Sequence, residues 1–353
     1  MHVKTFDKFA KGTFKILFLG DIMCENAGIN SIADGDPFKY VRRWMTTHDY
    51  VVGGLETTLN GVTSDYPKFS SNDLLADYLH GKVDLLFTAN NHSFDYGVEG
   101  VERTVEVLDE FGIDHIGTSS AKKRRTIFDK TLANHELSFL NYTQFLNAKE
   151  EGQEPIYKGL DSKEAPEGII NFYQQAQVRE DIALAKKRSE IVVIGLHQSL
   201  RTGAARELTR ESSEKQRQRL EGLANNGADV VIGSHPHYFQ GGKLLEHGKI
   251  AVYSLGNFYS TMKSEEYPLN CGCAMTMECD SFSNINYSFL PVVTIREEKS
   301  RQLCVLPMAP LEFGAYPFIS DEQRAIVLQE LVKIRETLRI CALTETEVPV
   351  QLI

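Results

Sequence analysis

Short apolar runs, each closed by glycine or a polar residue, recur along the chain: KILFLGD (15–21), VDLLFTANNH (83–92), IVVIGLH (191–197), DVVIGSHPH (229–237) and KIAVYSLGN (249–257). Runs of this length, rich in Val, Ile and Leu, are the pattern of strands covered on both faces, where neither side has to meet water. Between them, VERTVEVLDEFGI (101–113) and SSEKQRQRLEGLANNGA (212–228) carry apolar residues at helical spacing, the second ending near a glycine as helices often do. Strands alternating with helices predict an α/β domain. After Gly272 the pattern changes: CAMTMECD, INYSFLPVVTIRE and RQLCVLPM read as antiparallel strands with turns at DSFSN and EEKSR, and they predict a second sheet. A polar excursion at 148–190 carries FYQQAQVREDIALAKKRSE as a helix, and DEQRAIVLQELVKIRETLR (321–339) predicts a C-terminal one. The expected organisation is one domain over 1–315 with a helical extension, 316–353, packed on it.

Composition narrows the class. The 353 residues are 42% hydrophobic and 24% charged, the balance of a soluble globular protein rather than a disordered, collagenous or coiled-coil chain. Asp and Glu number 48 against 38 Lys and Arg, a formal charge of −10, so the surface as a whole repels nucleic acid phosphates and anionic lipid heads, and no nucleic acid partner is expected. Six cysteines are too sparse for a disulfide scaffold and read as reduced thiols, with Cys271 and Cys273 on one strand face and buried there. The only apolar run near the start, Ile16 to Leu19, is far short of a signal-peptide core or a membrane span, which predicts a cytoplasmic protein without a membrane anchor.

In α/β sheets ligands collect where strands end and loops begin. The chain's polar residues gather at such ends: Gly20-Asp21, Gly54-Leu55-Glu56, Asn90-Asn91-His92, His197 and His235-Pro236-His237. If these strands are neighbours in one parallel sheet, two carboxylates, an amide and four imidazoles converge on one rim and make one metal site or two. Each residue also has a plainer reading: Asp21 as a turn former or cap, Glu56 as a cap or surface partner, Asn91 as a turn residue, His197 as a half-buried histidine. The pair His235 and His237 says more, because alternate strand residues share a face and Pro236 stiffens the chain between them.

Taken in order, GDIM (20–23), GLETTL (54–59), ANNHSFDYG (89–97), GADVVIGSHPHYFQG (227–241) and YSLGNF (253–258) resemble the calcineurin-like metallophosphoesterases, and more closely the bacterial CapA family of poly-gamma-glutamate capsule biosynthesis proteins, over residues 14–310. The resemblance implies a four-layer α/β/β/α sandwich of two mixed sheets. It also implies a dinuclear centre bridged by Glu56, one ion taking Asp21, Glu56 and His237, the other Glu56, Asn91, His197 and His235. Oxygen and imidazole donors without thiolate suit Mn²⁺, Fe²⁺ or Zn²⁺. In the same carry-over His92 stabilises the transition state and protonates the leaving oxygen, and Asp95 can accept a hydrogen bond from its ring.

Departures from the pattern bear on the site. Met23 stands where ordinary metallophosphoesterases have a histidine, which leaves the first ion three protein ligands. Gln198, Ser199 and Leu200 replace the tryptophan and glycine of many relatives, and Arg201 follows as either a contact to an anionic substrate or a solvated side chain. Asn257, with Arg201 a candidate substrate contact, is otherwise a support of the rim or a turn amide. The implied activity is phosphoester hydrolysis in capsule or envelope polymer metabolism, on a small anionic or polymer-precursor substrate, with capsule or envelope synthesis proteins as candidate partners. Gamma-glutamyl amide bond chemistry and a non-catalytic role in a biosynthetic complex are the alternatives.

Overall fold

The computed structural model describes residues 10–65, 68–120, 125–147, 168–198, 209–262, 270–297 and 299–347. In chain order the elements are β1 (Phe14–Ile22), α1 (Asn26–Asp34), α2 (Arg42–Met45), β2 (Tyr50–Leu55), β3 (Thr58–Leu59), β4 (Ser70–Ser71), α3 (Leu74–Leu79), β5 (Leu85–Phe87), α4 (Gly97–Glu110), β6 (Asp114–Ile116), β7 (Phe128–Leu132) and β8 (His135–Thr143). There follow α5 (Gln175–Ala185), β9 (Ile191–His197), α6 (Glu214–Asn225), β10 (Val230–Ser234), β11 (Gly242–Leu244), β12 (Ile250–Val252), β13 (Asn257–Tyr259), β14 (Asn270–Cys279), β15 (Ile285–Arg296), β16 (Leu303–Pro307) and α7 (Asp321–Ile340).

Two sheets carry the molecule. The first runs β16-β15-β14-β1-β2-β5-β6, with β13 also on β1, and the second runs β11-β12-β10-β9-β8-β7. Strands β1, β2, β5 and β6 are mutually parallel, as are β8, β9, β10 and β12. Antiparallel strands complete both sheets, so both are mixed.

The apolar runs explain the layering. On β1, Phe14, Ile16 and Phe18 join the core between the sheets, while Leu17 and Leu19 face the opposite way into a cluster with Ile29 and Ile32 of α1, Leu75 of α3 and Val107 and Leu108 of α4. On β9, Ile191 and Val193 face the inter-sheet core, and Val192, Ile194 and Leu196 pack on Val178 and Ile182 of α5 and Leu220 and Leu223 of α6. Helices on one side of each sheet and a sheet on the other make the four-layer α/β/β/α sandwich, and strands covered on both faces have to be apolar throughout.

The expected second sheet after Gly272 is corrected. Strands β14, β15 and β16 extend the first sheet: β14 pairs antiparallel with the Phe14–Phe18 half of β1, leaving the other half of that edge for β13. The second sheet comes instead from β7 to β12 in the middle of the chain. Helix α7 contributes Val327, Leu331, Ile334 and Leu338 to the same inter-sheet core that holds Met275, Phe289 and Leu306. All six cysteines are free thiols, and Cys271 and Cys273 are buried. Among the described residues no helix is long and apolar enough to cross a membrane.

Candidate metal centre

The rims of the two sheets meet at the carboxyl ends of their parallel strands, so the polar residues gather between two sheets and not along one. Glu56 follows β2 directly, its N–H bonded to Ile22 O at 3.0 Å, on the parity that already turns Val52 inward. Strict alternation after Phe18 would send Asp21 to the helix side with Leu17 and Leu19. The register with β2 shifts between Phe18 and Asp21, and the carboxylate instead reaches the backbone N–H of His235, with Oδ2 at 3.5 Å. Gly54, paired with Asp21, makes room for it, since a Cβ there would lie 2.7 Å from Asp21 Oδ1.

After β5 the chain folds into a tight turn. Asn90 Oδ1 accepts from the His92 N–H at 2.9 Å, its Nδ2 donates to Leu55 O at 2.6 Å, and its own N–H bonds Ser93 Oγ at 2.8 Å. That turn presents Asn91 and His92. His197 ends β9 on the inward parity. His235 does not belong to a strand: β10 stops at Ser234, and His235 has φ +93°, a conformation non-glycine residues rarely hold and one associated with functional strain. Its ring converges with that of His237, centroids 6.0 Å apart, through this backbone turn, so the alternation argument for the pair is corrected although the pairing stands.

The geometry is compact and buried. Asp21, Glu56, Asn91, His92, His197, His235 and His237 are all buried. His197 Nε2 lies 2.6 Å from Asn91 Oδ1 and 3.5 Å from Glu56 Oε1, and His237 Nδ1 lies 3.8 Å from Glu56 Oε2. Two triads, Glu56–His197–His235 and Asp21–Glu56–His237, each bring their ligand atoms within 4.8 Å of one another, and they share Glu56. A cavity of about 30 Å³, room for a water, opens beside Asp21, Glu56 and His197.

Electrostatics agrees with a cation at this place. Burial raises Asp21 to about 7, against the lowering effects of the His235 N–H and Glu56. Burial, with neighbouring histidines, holds His197 and His235 well below the usual imidazole range and lowers His237 to about 4. The imidazoles are therefore neutral and carry lone pairs, the form that binds metal. His235 Nδ1 is buried without a hydrogen-bond partner among the described residues, and an ion would satisfy it. The residues present fit one or two divalent cations.

The surroundings orient these donors. His92 Nδ1 donates to Asp95 Oδ2 at 2.6 Å, and the Phe69 N–H holds the same oxygen at 2.9 Å. Asn257, opposite Asp21 in register, accepts from His237 Nδ1 at 2.9 Å and donates to Asn270 Oδ1 at 3.2 Å, which makes it a support of the rim. Ser234 Oγ lies 3.0 Å from His197 Nδ1 and suits either tautomer. The ring of Phe69 stands edge-on to His92 at 4.4 Å, and that of Phe145 to His235 at 5.0 Å. Ser234, Asn270, Phe69 and Phe145 escaped the sequence reading. Only Ser234, between a strand and a histidine pair, carried a positional signal. Arg201 and residues 148–167 of the polar excursion lie outside the described residues.

The chain is similar to known proteins. Residues 15–262 match the family described as bacterial capsule synthesis protein PGA_cap. The chain is 28% identical over 259 residues to the PGA biosynthesis protein CapA of Bacillus subtilis (strain 168), covering 68% of this chain and 62% of that one. It is 25% identical over 234 residues to the capsule biosynthesis protein CapA of Bacillus anthracis, covering 63% and 53%. The chain thus spans somewhat more than half the length of these relatives. Among solved structures, a hypothetical protein from Thermus thermophilus superposes with a TM-score of 0.48 at 13% identity, over 79% of this chain and 98% of that one.

Proposed function

Since the chain belongs to the family of bacterial capsule synthesis proteins PGA_cap, we propose that it is a divalent-metal-dependent phosphoester hydrolase serving capsule or envelope polymer metabolism, acting on a small anionic or polymer-precursor substrate. The observation that carries the reading is the pair of buried triads sharing Glu56. Asp21, Glu56 and His237 would hold one ion, and Glu56, Asn91, His197 and His235 the other. When bound, such ions acidify a water and neutralise the charge of a phosphoryl group.

The chain's own residues supply the rest. Asp95 takes the proton-bearing Nδ1 of His92, so Nε2 is the atom left to hold or deliver a proton to a leaving oxygen. Phe69 and Phe145 wall the histidines off from water and lower the local dielectric in which these charges act. Asn257 and Ser234 keep His237 and His197 turned toward the shared carboxylate.

The test is reconstitution of metal-free protein with Mn²⁺, Fe²⁺ or Zn²⁺, followed by assay against a panel of phosphomonoesters, phosphodiesters and gamma-glutamyl peptides. Metal uptake with turnover of a phosphoester, with the turnover and one ion lost in Asp21→Ala and likewise in His235→Ala, is the expected result. Turnover by metal-free protein, or cleavage of the gamma-glutamyl peptides alone, overturns the proposal.

A further inference from the structure

Asn147 lies four residues beyond the end of β8 and belongs to none of the motifs that point to the site. Its backbone N–H donates to Asn91 O at 2.8 Å. Its side-chain Oδ1 accepts from Asn91 Nδ2 at 3.3 Å, and its Nδ2 stands 3.3 Å from His92 Nδ1 and 3.4 Å from His92 Nε2. One half-buried amide therefore touches both the amide proposed as an ion ligand and the imidazole proposed as proton donor.

An asparagine side chain has two ends of nearly equal shape, and only its oxygen ligates a hard cation. Asn91 is held from both sides: Oδ1 faces His197 Nε2 at 2.6 Å, and Nδ2 faces Asn147. An ion taken by both His197 and Asn91 occupies the place of the first of these bonds. Asn147 Oδ1 is then the remaining side-chain hydrogen-bond partner of Asn91 among the described residues, and it accepts only from the nitrogen end. It thereby keeps the oxygen pointed at the ion. On its other side, Nδ2 and His92 Nε2 are 3.4 Å apart, close enough for one substrate oxygen to accept from both.

Resting on the metal-centre reading above, we propose that Asn147 is a positioning residue: it locks the Asn91 carbonyl toward the ion shared with Glu56, His197 and His235, and lends its N–H to the oxygen served by His92. The locking role is separable from the donating one. Asn147→Ala removes both, whereas Asn147→Asp keeps an acceptor for Asn91 Nδ2 and loses the donor.

Mn²⁺ titration of metal-free protein, followed by electron paramagnetic resonance, reads the first role, and turnover of 4-nitrophenyl phosphate esters reads the second. In Asn147→Ala one of two Mn²⁺ sites should weaken about 10–100-fold, as when the partner of a ligand is removed, while the other keeps its affinity. Asn147→Asp should bind both ions at least as well as wild type, yet lose about 100-fold in kcat with KM little changed, the size of one lost transition-state donor. Wild-type Mn²⁺ affinity at both sites in Asn147→Ala overturns this inference alone. Wild-type protein that binds no Mn²⁺ overturns the metal-centre reading and the inference with it. Should Asn147→Ala not fold, Asn147→Asp carries the test, and its loss of an ion overturns the inference.

Discussion

Burial moves the two kinds of donor at the rim in opposite directions, and the metal-free protein should register both. Asp21, at about 7 when folded, lies above its ordinary 3.8, so the native state binds that proton more tightly than the unfolded chain does. Its contribution to stability is full below pH 3.8 and is lost as pH rises through about 7. His237, lowered from 6.5 to about 4, contributes above pH 6.5 and loses that contribution as pH falls through about 4. The two oppose each other between those limits, and above pH 6.5 only the Asp21 member of this pair still changes with pH. Metal-free Asp21→Asn should therefore be more stable than metal-free wild type at about pH 8, by about 1–4 kcal/mol, with the advantage shrinking toward about pH 4. Urea unfolding in chelator across that range checks it, and an equal or lower midpoint for the variant at the alkaline end would refute it. Added Mn²⁺ should stabilise wild type more than Asp21→Asn, which loses a ligand of one ion but keeps Glu56, Asn91, His197 and His235 for the other. A second residue-scale expectation concerns His92, which touches Asp95 and none of the triad carboxylates. His92→Ala should keep metal uptake and lower kcat about 10²- to 10⁴-fold.

At the scale of elements, the legible parts were those with a local period. Apolar runs on both faces marked β1, β9 and β10 because each is covered by a helix layer and a sheet layer. Partner choice was not legible: the alternation in β14 to β16 specifies strands but not which edge they join, and they joined β1 because β13 pairs only with its far end. Nor was the shift after Phe18 that turns Asp21 inward, or the positive φ of His235. Two glycines, Gly256 inside a motif and Gly314 outside all of them, test how much of the site depends on such turns. Gly256 (φ +75°) and Gly314 (φ +77°) have the same left-handed backbone, but a Cβ on Gly256 would lie 2.8 Å from Phe239 N, while none of the described atoms is within 4 Å at Gly314. Gly314→Ala should cost only about 1 kcal/mol of conformational strain and leave metal uptake intact. Gly256→Ala should cost more, about 1–3 kcal/mol or above, and weaken the ion held with His237, because it forces apart the backbone next to both His237 and Asn257. Paired denaturation and metal titration decide it, and equal effects of the two substitutions would refute the argument.

For the whole molecule, the decisive fact is that the site belongs to a seam. Asp21, Glu56 and Asn91 come from the first sheet's rim, and His197, His235 and His237 from the second's. The five motifs were readable one at a time, whereas their convergence depends on the core that holds the sheets face to face. That core continues past residue 262, where the family match ends: β14 pairs along five residues of β1, and Val327, Leu331, Ile334 and Leu338 of α7 pack among the inward residues of β14, β15 and β16. Helix α7 is also tied to the histidine segment, since Glu330 pairs with Arg210, whose guanidinium lies 4.5 Å over the ring of Tyr238, next to His237. A helix packed so deeply should not behave as a detachable extension of residues 1–315. Truncation after Gly314 would bare the apolar faces of Met275, Phe289 and Leu306, and the shortened chain should fail to show a cooperative unfolding transition and fail to take up metal. Leu331→Ala, a milder probe of the same contact, should lower stability by about 2–5 kcal/mol while the folded fraction still binds metal. If the truncated chain instead unfolds cooperatively at the wild-type denaturant midpoint, α7 is dispensable and the two sheets close on each other without it.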